Sequence, residues 1–221
     1  MLTRRLFIAG TPLALAACTN RMGAPDMTAS IPVTDPYYAS MYAAIDDDRF
    51  PIAAIDLSQI DPAFLRREVA YPTSEQPGTI IIDPGHHYLY LVRAGGRAIR
   101  YGVGVGREGF GWSGAATIQR KAAWPVWTPP AEMVARDPKA APWAKGMPGG
   151  PENPLGARAM YLYQNGRDTL YRIHGTNEPW TIGQSLSSGC IRMLNQDVIN
   201  LYNGTPLGTR VVVLPSRGGE A

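Results

Sequence analysis

The 221-residue sequence predicts a mainly β domain with few short helices, and three observations carry that expectation. Its 24 glycines and 20 prolines interrupt the chain too often for a helical bundle. From about residue 79 onward, short alternating or β-branched runs are separated by turn residues. Apolar residues make up 45% of the chain and only two are cysteines, so the domain builds its own core rather than a disulfide or Cys-rich zinc scaffold. Two of the 21 Lys and Arg residues, Arg4 and Arg5, lie in the first segment; setting them aside leaves a nearly neutral chain. No long basic run suggests a nucleic-acid partner, and no run of about 20 apolar residues suggests an ordinary membrane span.

In chain order, residues 1–17 read as a secretory signal, with Arg4 and Arg5 ahead of an apolar stretch from Leu6 to Ala17. Thr3-Arg4-Arg5-Leu6-Phe7-Ile8 resembles the twin-arginine export pattern. Leu15-Ala16-Ala17-Cys18 resembles the bacterial lipobox, which implies lipidation of Cys18 and anchoring through buried CH₂ groups at about 0.8 kcal/mol each. The expected location is the periplasm, on the outer or the inner membrane; Thr19 rather than Asp after Cys18 permits the outer one. An ordinary signal peptide, with Cys18 present by chance, is the alternative. Residues 18–35 form a small, polar tether.

Residues 36–77 read as a helical N-terminal extension packed on the main domain. A short helix fits Pro36 to Asp48, and Asp61-Pro62 looks like a second helix start. Phe64, Leu65 and Val69 would then face inward. The main domain is expected at 78–215. Thr79–Asp83 is a β-branched strand, and His87–Arg93 and Arg97–Val105 form a hairpin around Ala94-Gly95-Gly96. Ala116–Ala122 is a further strand. Residues 125–156 hold eight prolines, four glycines and two tryptophans with no period, which reads as a lid or binding loop. Ala159–Gln164 and Thr169–Ile173 flank the turn Asn165-Gly166. A helix runs from Asn195, as its cap, to Asn203, and a last strand covers Arg210–Leu214.

The chemistry concentrates in His174-Gly175-Thr176 and Ser187-Ser188-Gly189-Cys190-Ile191-Arg192. With Cys18 lipidated, Cys190 is the one cysteine left for the folded domain. A thiolate is a strong nucleophile but needs a base or positive charge nearby. His174 is the candidate base. The local sequence suggests no Asp or Glu to orient it; a backbone carbonyl, such as that of Gly175, could serve instead. Gly189 permits a tight turn that aims amide N–H groups at an oxyanion. Arg192 can take a substrate carboxylate, and the Ser188 hydroxyl can support the network. A lone cysteine is more often a buried small hydrophobe, and a lone histidine more often structural. His86 and His87 have no partner motif. Gly104-Val105-Gly106-Arg107-Glu108-Gly109 matches a dinucleotide pattern, but a strand rather than a helix follows it.

Together these residues resemble the catalytic domain of the L,D-transpeptidases, the YkuD family, over roughly residues 78–215. The signature stands here as His174-Gly175-Thr176 and Ser187-Ser188-Gly189-Cys190-Ile191-Arg192, followed by Asn195, Asp197 and Leu201-Tyr202. Asn153-Pro154-Leu155-Gly156 also fits. Two departures stand out: Ser188 replaces a histidine common in the family, and Trp112-Ser113-Gly114 replaces a Thr-Pro-x-Gly segment. The resemblance implies a β-sandwich and a cysteine acyltransferase acting on peptidoglycan stem peptides, with no metal or cofactor. The acceptor would be a stem amine or a protein amine. A thiol L,D-carboxypeptidase and a non-catalytic wall-binding lipoprotein are the alternatives.

Overall fold

The structure is a computed structural model and describes residues 35–46, 49–106, 112–187 and 189–216. The expected signal peptide, Cys18, nearly all of the tether and Ser188 lie outside the described residues.

The first described element is a six-residue helix, α1 (Pro36–Met41). The Asp35 carboxylate accepts the Tyr37 amide, and Pro36 supplies a preset φ at the first helical position. The expected second helix at Asp61-Pro62 is instead one 3-10 turn, Pro62–Phe64, held by the Asp61 side chain. The chain then extends into an edge strand, β1 (Arg67–Ala70), which pairs antiparallel with β4 (Arg97–Gly102). The extension is therefore helical only in part. Its last segment completes the sheet, because an open β4 edge offers backbone partners that an isolated turn of helix lacks.

The expected hairpin is present as β3 (Tyr88–Arg93) and β4, beside β2 (Ile80–Asp83). Downstream come β5 (Val105–Gly106), β6 (Gly114–Ala123), β7 (Arg158–Gln164), β8 (Arg167–His174), β9 (Ser185–Ser187), β10 (Ile191–Arg192) and β11 (Arg210–Val213). Asn165 and Gly166 join β7 to β8 with φ of 51° and 75°, the two positive values a type I′ hairpin turn requires. Among the described residues nine strands form one sheet in the order β1-β4-β3-β2-β11-β6-β7-β8-β10, while β5 and β9 pair separately. Only β2–β11 and β8–β10 are parallel within the large sheet.

The sheet closes back on itself. Gly104, just past β4, exchanges two backbone hydrogen bonds with Arg192 of β10, at 2.9 and 2.8 Å. The two halves of one sheet thus face each other across one core, the layered arrangement of a sandwich. Ile80, Ile82, Leu89, Tyr101, Ile118, Met160, Leu162, Ile173 and Ile191 fill it without solvent exposure. Helix α3 (Asn195–Gly204) joins that core through Val198 and Leu201. Its C-terminal carbonyls are met by the Lys121 ammonium, which donates to Tyr202 O and Thr205 O at 2.6 Å each. The N-terminal extension packs beside the start of α3. Tyr38, Tyr42, Leu57, Ile60 and Leu65 form a second apolar cluster with Ile182 and Leu194 of the main domain. No helix among the described residues is long and apolar enough to cross a membrane.

Candidate active site

The site is built on the parallel pair β8–β10. Ile191 stands opposite Ile173, and Arg192 opposite His174. Both isoleucines turn into the core. Side chains alternate along a strand, so His174 and Arg192 turn the other way, and Arg172 shares their face. Cys190 immediately precedes β10. Continued by one residue, the ladder sets it beside Arg172, and the Arg172 amide donates a hydrogen bond to the Cys190 sulfur. The topology thus brings Cys190, His174 and Arg192 to one face of one sheet edge.

His174 is buried, and its Nδ1 lies 2.6 Å from the Gly175 carbonyl oxygen. A carbonyl only accepts, so Nδ1 carries the hydrogen and Nε2 presents a lone pair. Burial pulls the imidazole down to about 4; the Gly175 bond opposes this, while the Arg192 and Arg172 charges add to it. His174 is therefore a neutral base at pH 7. Burial also pushes the Cys190 thiol up, against the Arg172 amide and the charges of Arg172 and Arg192. Burial thus acts on both groups in the direction of the neutral thiol and the neutral imidazole.

Gly175 has no room for a side chain: a Cβ there would fall on the Asn195 side-chain oxygen. That oxygen accepts the Ala157 amide at 3.0 Å, and the Asn195 amide group donates to Thr176 O at 3.0 Å. Asn195 is not the cap of α3, as the sequence led us to expect. Leu194 occupies the cap position without a side-chain bond, and Asn195 instead ties Thr176, just past the His174-Gly175 turn, to Ala157 ahead of β7. Gly189 adopts φ +123°, a backbone state that L side chains rarely reach, directly before Cys190.

Arg192 is 9% exposed, and its Nε and Nη2 have no hydrogen-bond partner among the described residues. Burial lowers its pKa, with the Glu178 charge opposing. Arg192 is thus a buried guanidinium with two donors that lack a partner, within electrostatic reach of Cys190. Sequence reasoning missed Arg172, Glu178 and the clamp made by Asn195. The period of two along β8 would have exposed Arg172; no local signal marks Glu178.

The Pro-rich stretch 125–156 contains helix α2 (Ala131–Arg136) and one 3-10 turn, Ala141–Trp143. Asn153, fully buried, gathers its ends by donating to Pro125 O, Met147 O and Pro148 O. It also reaches the site's border, where Asn177 donates to Glu152 O at 3.1 Å. His86 bonds Asp83, and His87 bonds Ser185 of β9. Among the described residues, no group of three or more His, Cys, Asp or Glu side chains is placed to hold a metal ion.

The family model of the L,D-transpeptidase catalytic domain (YkuD) matches residues 77–213. The chain belongs to that family. It is 35% identical over 150 residues to the probable L,D-transpeptidase YbiS of Escherichia coli K12, covering 66% of this chain and 47% of that one. It is 35% identical over 156 residues to the probable L,D-transpeptidase ErfK/SrfK of Salmonella typhimurium, covering 67% and 47%. The chain thus spans about half the length of the curated relatives it matches. A solved structure from Brucella melitensis, described as a probable carnitine operon oxidoreductase caia, is 52% identical with a TM-score of 0.49, covering 70% of this chain and 96% of that one.

Proposed function

We propose that this L,D-transpeptidase domain acts on peptidoglycan through a thioester on Cys190. In the first step Cys190 attacks the carbonyl of the third stem residue, at the L-centre of a diamino acid. The S–C bond forms, the C–N bond to the terminal D-alanine breaks, and the thiol proton passes through His174 to the leaving amine. In the second step an acceptor amine attacks the thioester. A C–N bond forms, the C–S bond breaks, and His174 takes the amine proton and returns it to sulfur. A neighbouring stem as acceptor gives a 3–3 cross-link; a protein amine gives attachment to the wall.

The observation that carries this reading is the His174 tautomer. Its Nδ1–H is committed to Gly175 O, which leaves Nε2 as the basic atom on the face shared with Cys190. A neutral base near pH 7 suits a nucleophile that starts as a thiol. The open Arg192 donors supply the contact for a stem carboxylate, and the backbone at Gly189 and Cys190 supplies N–H groups for the oxyanion. Ser188 supports the same network through its hydroxyl. The proposal extends to anchoring: export by residues 1–17, lipidation at Cys18 and a periplasmic site of action. Mass spectrometry of the mature N-terminus tests that part; an unmodified terminus produced by cleavage elsewhere refutes it.

The test of the activity is incubation of the purified protein with tetrapeptide muropeptides, read by mass spectrometry. Cross-linked dimers with released D-alanine are expected, and a Cys190→Ala variant should form none. Trimmed tripeptides alone would reassign the domain as an L,D-carboxypeptidase. No product from the wild-type chain would overturn the enzymatic reading.

A further inference from the structure

The loop that follows His174-Gly175 has two sides. Glu178 sits within electrostatic reach of Arg192, while Thr176, Asn177 and Trp180 line a separate cavity of about 350 Å³. The opposite wall is the extension, residues 51–60, and the floor is the start of α3. The cavity lies at the small end of the range for small-molecule sites. Neither Cys190 nor His174 lines it, and the mechanism above does not use it.

Its chemistry is selective. No Lys, Arg or His lines it, and the acidic contribution is Asp56, whose pKa is lowered by hydrogen bonds from Ser58 and Gln59. A carboxylate-bearing ligand would meet repulsion with no cation to offset it. Gln196 is 3% exposed, and its amide group donates to Ala53 O at 2.9 Å and Ala43 O at 3.2 Å. Those bonds fix which end of the amide is which, and they leave Oε1 without a hydrogen-bond partner. A buried acceptor left open is costly, and a ligand N–H or O–H would relieve it. Trp180 is 52% exposed at the rim and offers a flat apolar surface.

A flat apolar plate, acceptors and no cation describe a site for an uncharged ring rich in hydroxyl and amide donors. We infer that the cavity binds an N-acetylated sugar of the glycan strand, while the stem peptide attached to that strand lies across the β8–β10 edge. The inference rests on the proposed action on peptidoglycan for its substrate, but its binding test does not depend on turnover. The C–H face of the ring would stack on Trp180, and its acetamido N–H and hydroxyls would donate to Gln196, Gln59 and Asp56. The extension then has a substrate-selecting role: it forms one wall of the sugar site.

The binding test titrates the purified full-length chain with the disaccharide of N-acetylglucosamine and follows backbone and indole N–H resonances by NMR. Saturable shifts centred on Trp180, Asn177 and Gln59 are expected, with cellobiose, which lacks the acetamido group, at least tenfold weaker. Trp180→Ala should lower affinity at least tenfold and Trp180→Phe should restore part of it. No shifts, or shifts elsewhere, overturn the site. In a kinetic arm, Trp180→Ala should raise KM at least tenfold for disaccharide-linked tetrapeptide and leave the free tetrapeptide unchanged. An equal effect on both substrates overturns the inference. Sugar binding by a chain that turns over neither substrate would refute the activity and leave the site standing.

Discussion

Two regions of this molecule bury charged or ionisable groups, and they treat them differently. At the β8–β10 edge, His174 keeps one nitrogen satisfied and one open, and Arg192 keeps two donors open beside Cys190. At the contact between the extension and α3, Asp197 is fully buried. It accepts the Tyr42 hydroxyl at 3.1 Å, and Arg66 lies 3.6 Å from its other oxygen. Tyr42 in turn accepts the Arg66 amide at 2.7 Å. The first set has its open donors on the face shared with Cys190; the second docks one part of the chain to another, although Asp197 Oδ1 and Arg66 Nη1 also lack a hydrogen-bond partner. Burial shifts a pKa in both places, downward for the His174 imidazole, which leaves a neutral base, and upward for the Asp197 carboxyl, which keeps its proton. Perturbed titration alone would not have separated the two.

The largest effect should come from opening the strand edge to water. Trp127 and Met147 pair through two backbone hydrogen bonds of 3.0 and 2.7 Å, so residues 128–146 can be replaced by a short turn at that bridge. If the 125–156 segment is a lid, this deletion abolishes acyl transfer while circular dichroism and melting remain those of a folded domain. Unchanged transfer would refute the lid.

His174→Ala should lower kcat/KM for the first step by about 10²–10⁴-fold, the range for loss of a positioned general base. In the wild type, protonation of His174 at about 4 puts the acid limb of the pH–rate profile there, well below the ordinary imidazole value near 6.5. Iodoacetamide labelling of Cys190 should climb only at alkaline pH, because burial raises the thiol. A limb near 6.5, or fast labelling at pH 6, would mean that the pair rests as thiolate and imidazolium.

Asn195→Ala tests positioning. It removes the acceptor for the Ala157 amide and the donor to Thr176 O. Stability should fall by about 1–3 kcal/mol for each of the two backbone groups left unsatisfied. With free tetrapeptide as substrate, which does not occupy the cavity floored by α3, turnover should fall roughly tenfold through kcat rather than KM, since the base is displaced and the Arg192 contact is kept. A stability loss without a kcat loss would make Asn195 merely structural.

What the sequence disclosed follows from how local each signal is. The hairpin β3–β4 and the Asn165-Gly166 turn were legible because alternation and turn chemistry act over a few residues. The shared strand edge of Cys190, His174 and Arg192 was legible because their spacing is a motif, and the bond from His174 to the Gly175 carbonyl because the two are adjacent in the chain. Strand β1 was not, since four residues with one buried side chain, Val69, carry too little periodicity. Asn195 before an apolar helix reads as a cap, and only its tertiary partners at Ala157 and Thr176 reveal a clamp. The bond between Tyr42 and Asp197 joins residues 155 apart in the chain, beyond any pattern in one sequence.

The smallest effect on catalysis, and the sharpest test of the contrast, comes from Asp197→Asn. Burial holds the Asp197 proton up to about 7, although Arg66 and the Tyr42 bond both oppose this. An unfolded Asp releases its proton near 3.9. Between those values the native state binds more protons, so the Asp197 contribution is full below about 4 and is lost as pH rises through 7. His174 acts in the opposite sense: its folded value near 4 lies below the unfolded 6.5, so its contribution is full above 6.5 and is lost as pH falls through 4. The two largely cancel across the same window in the wild type. Asn cannot ionise but can still bond the Tyr42 hydroxyl. The variant should therefore show stability that rises with pH from 4 to 7, and should exceed the wild type most at pH 8. Urea midpoints at pH 4.5 and 8 measure this. Parallel curves for the two proteins would mean that Asp197 is already ionised at pH 4.5 in the native state, with Arg66 outweighing burial.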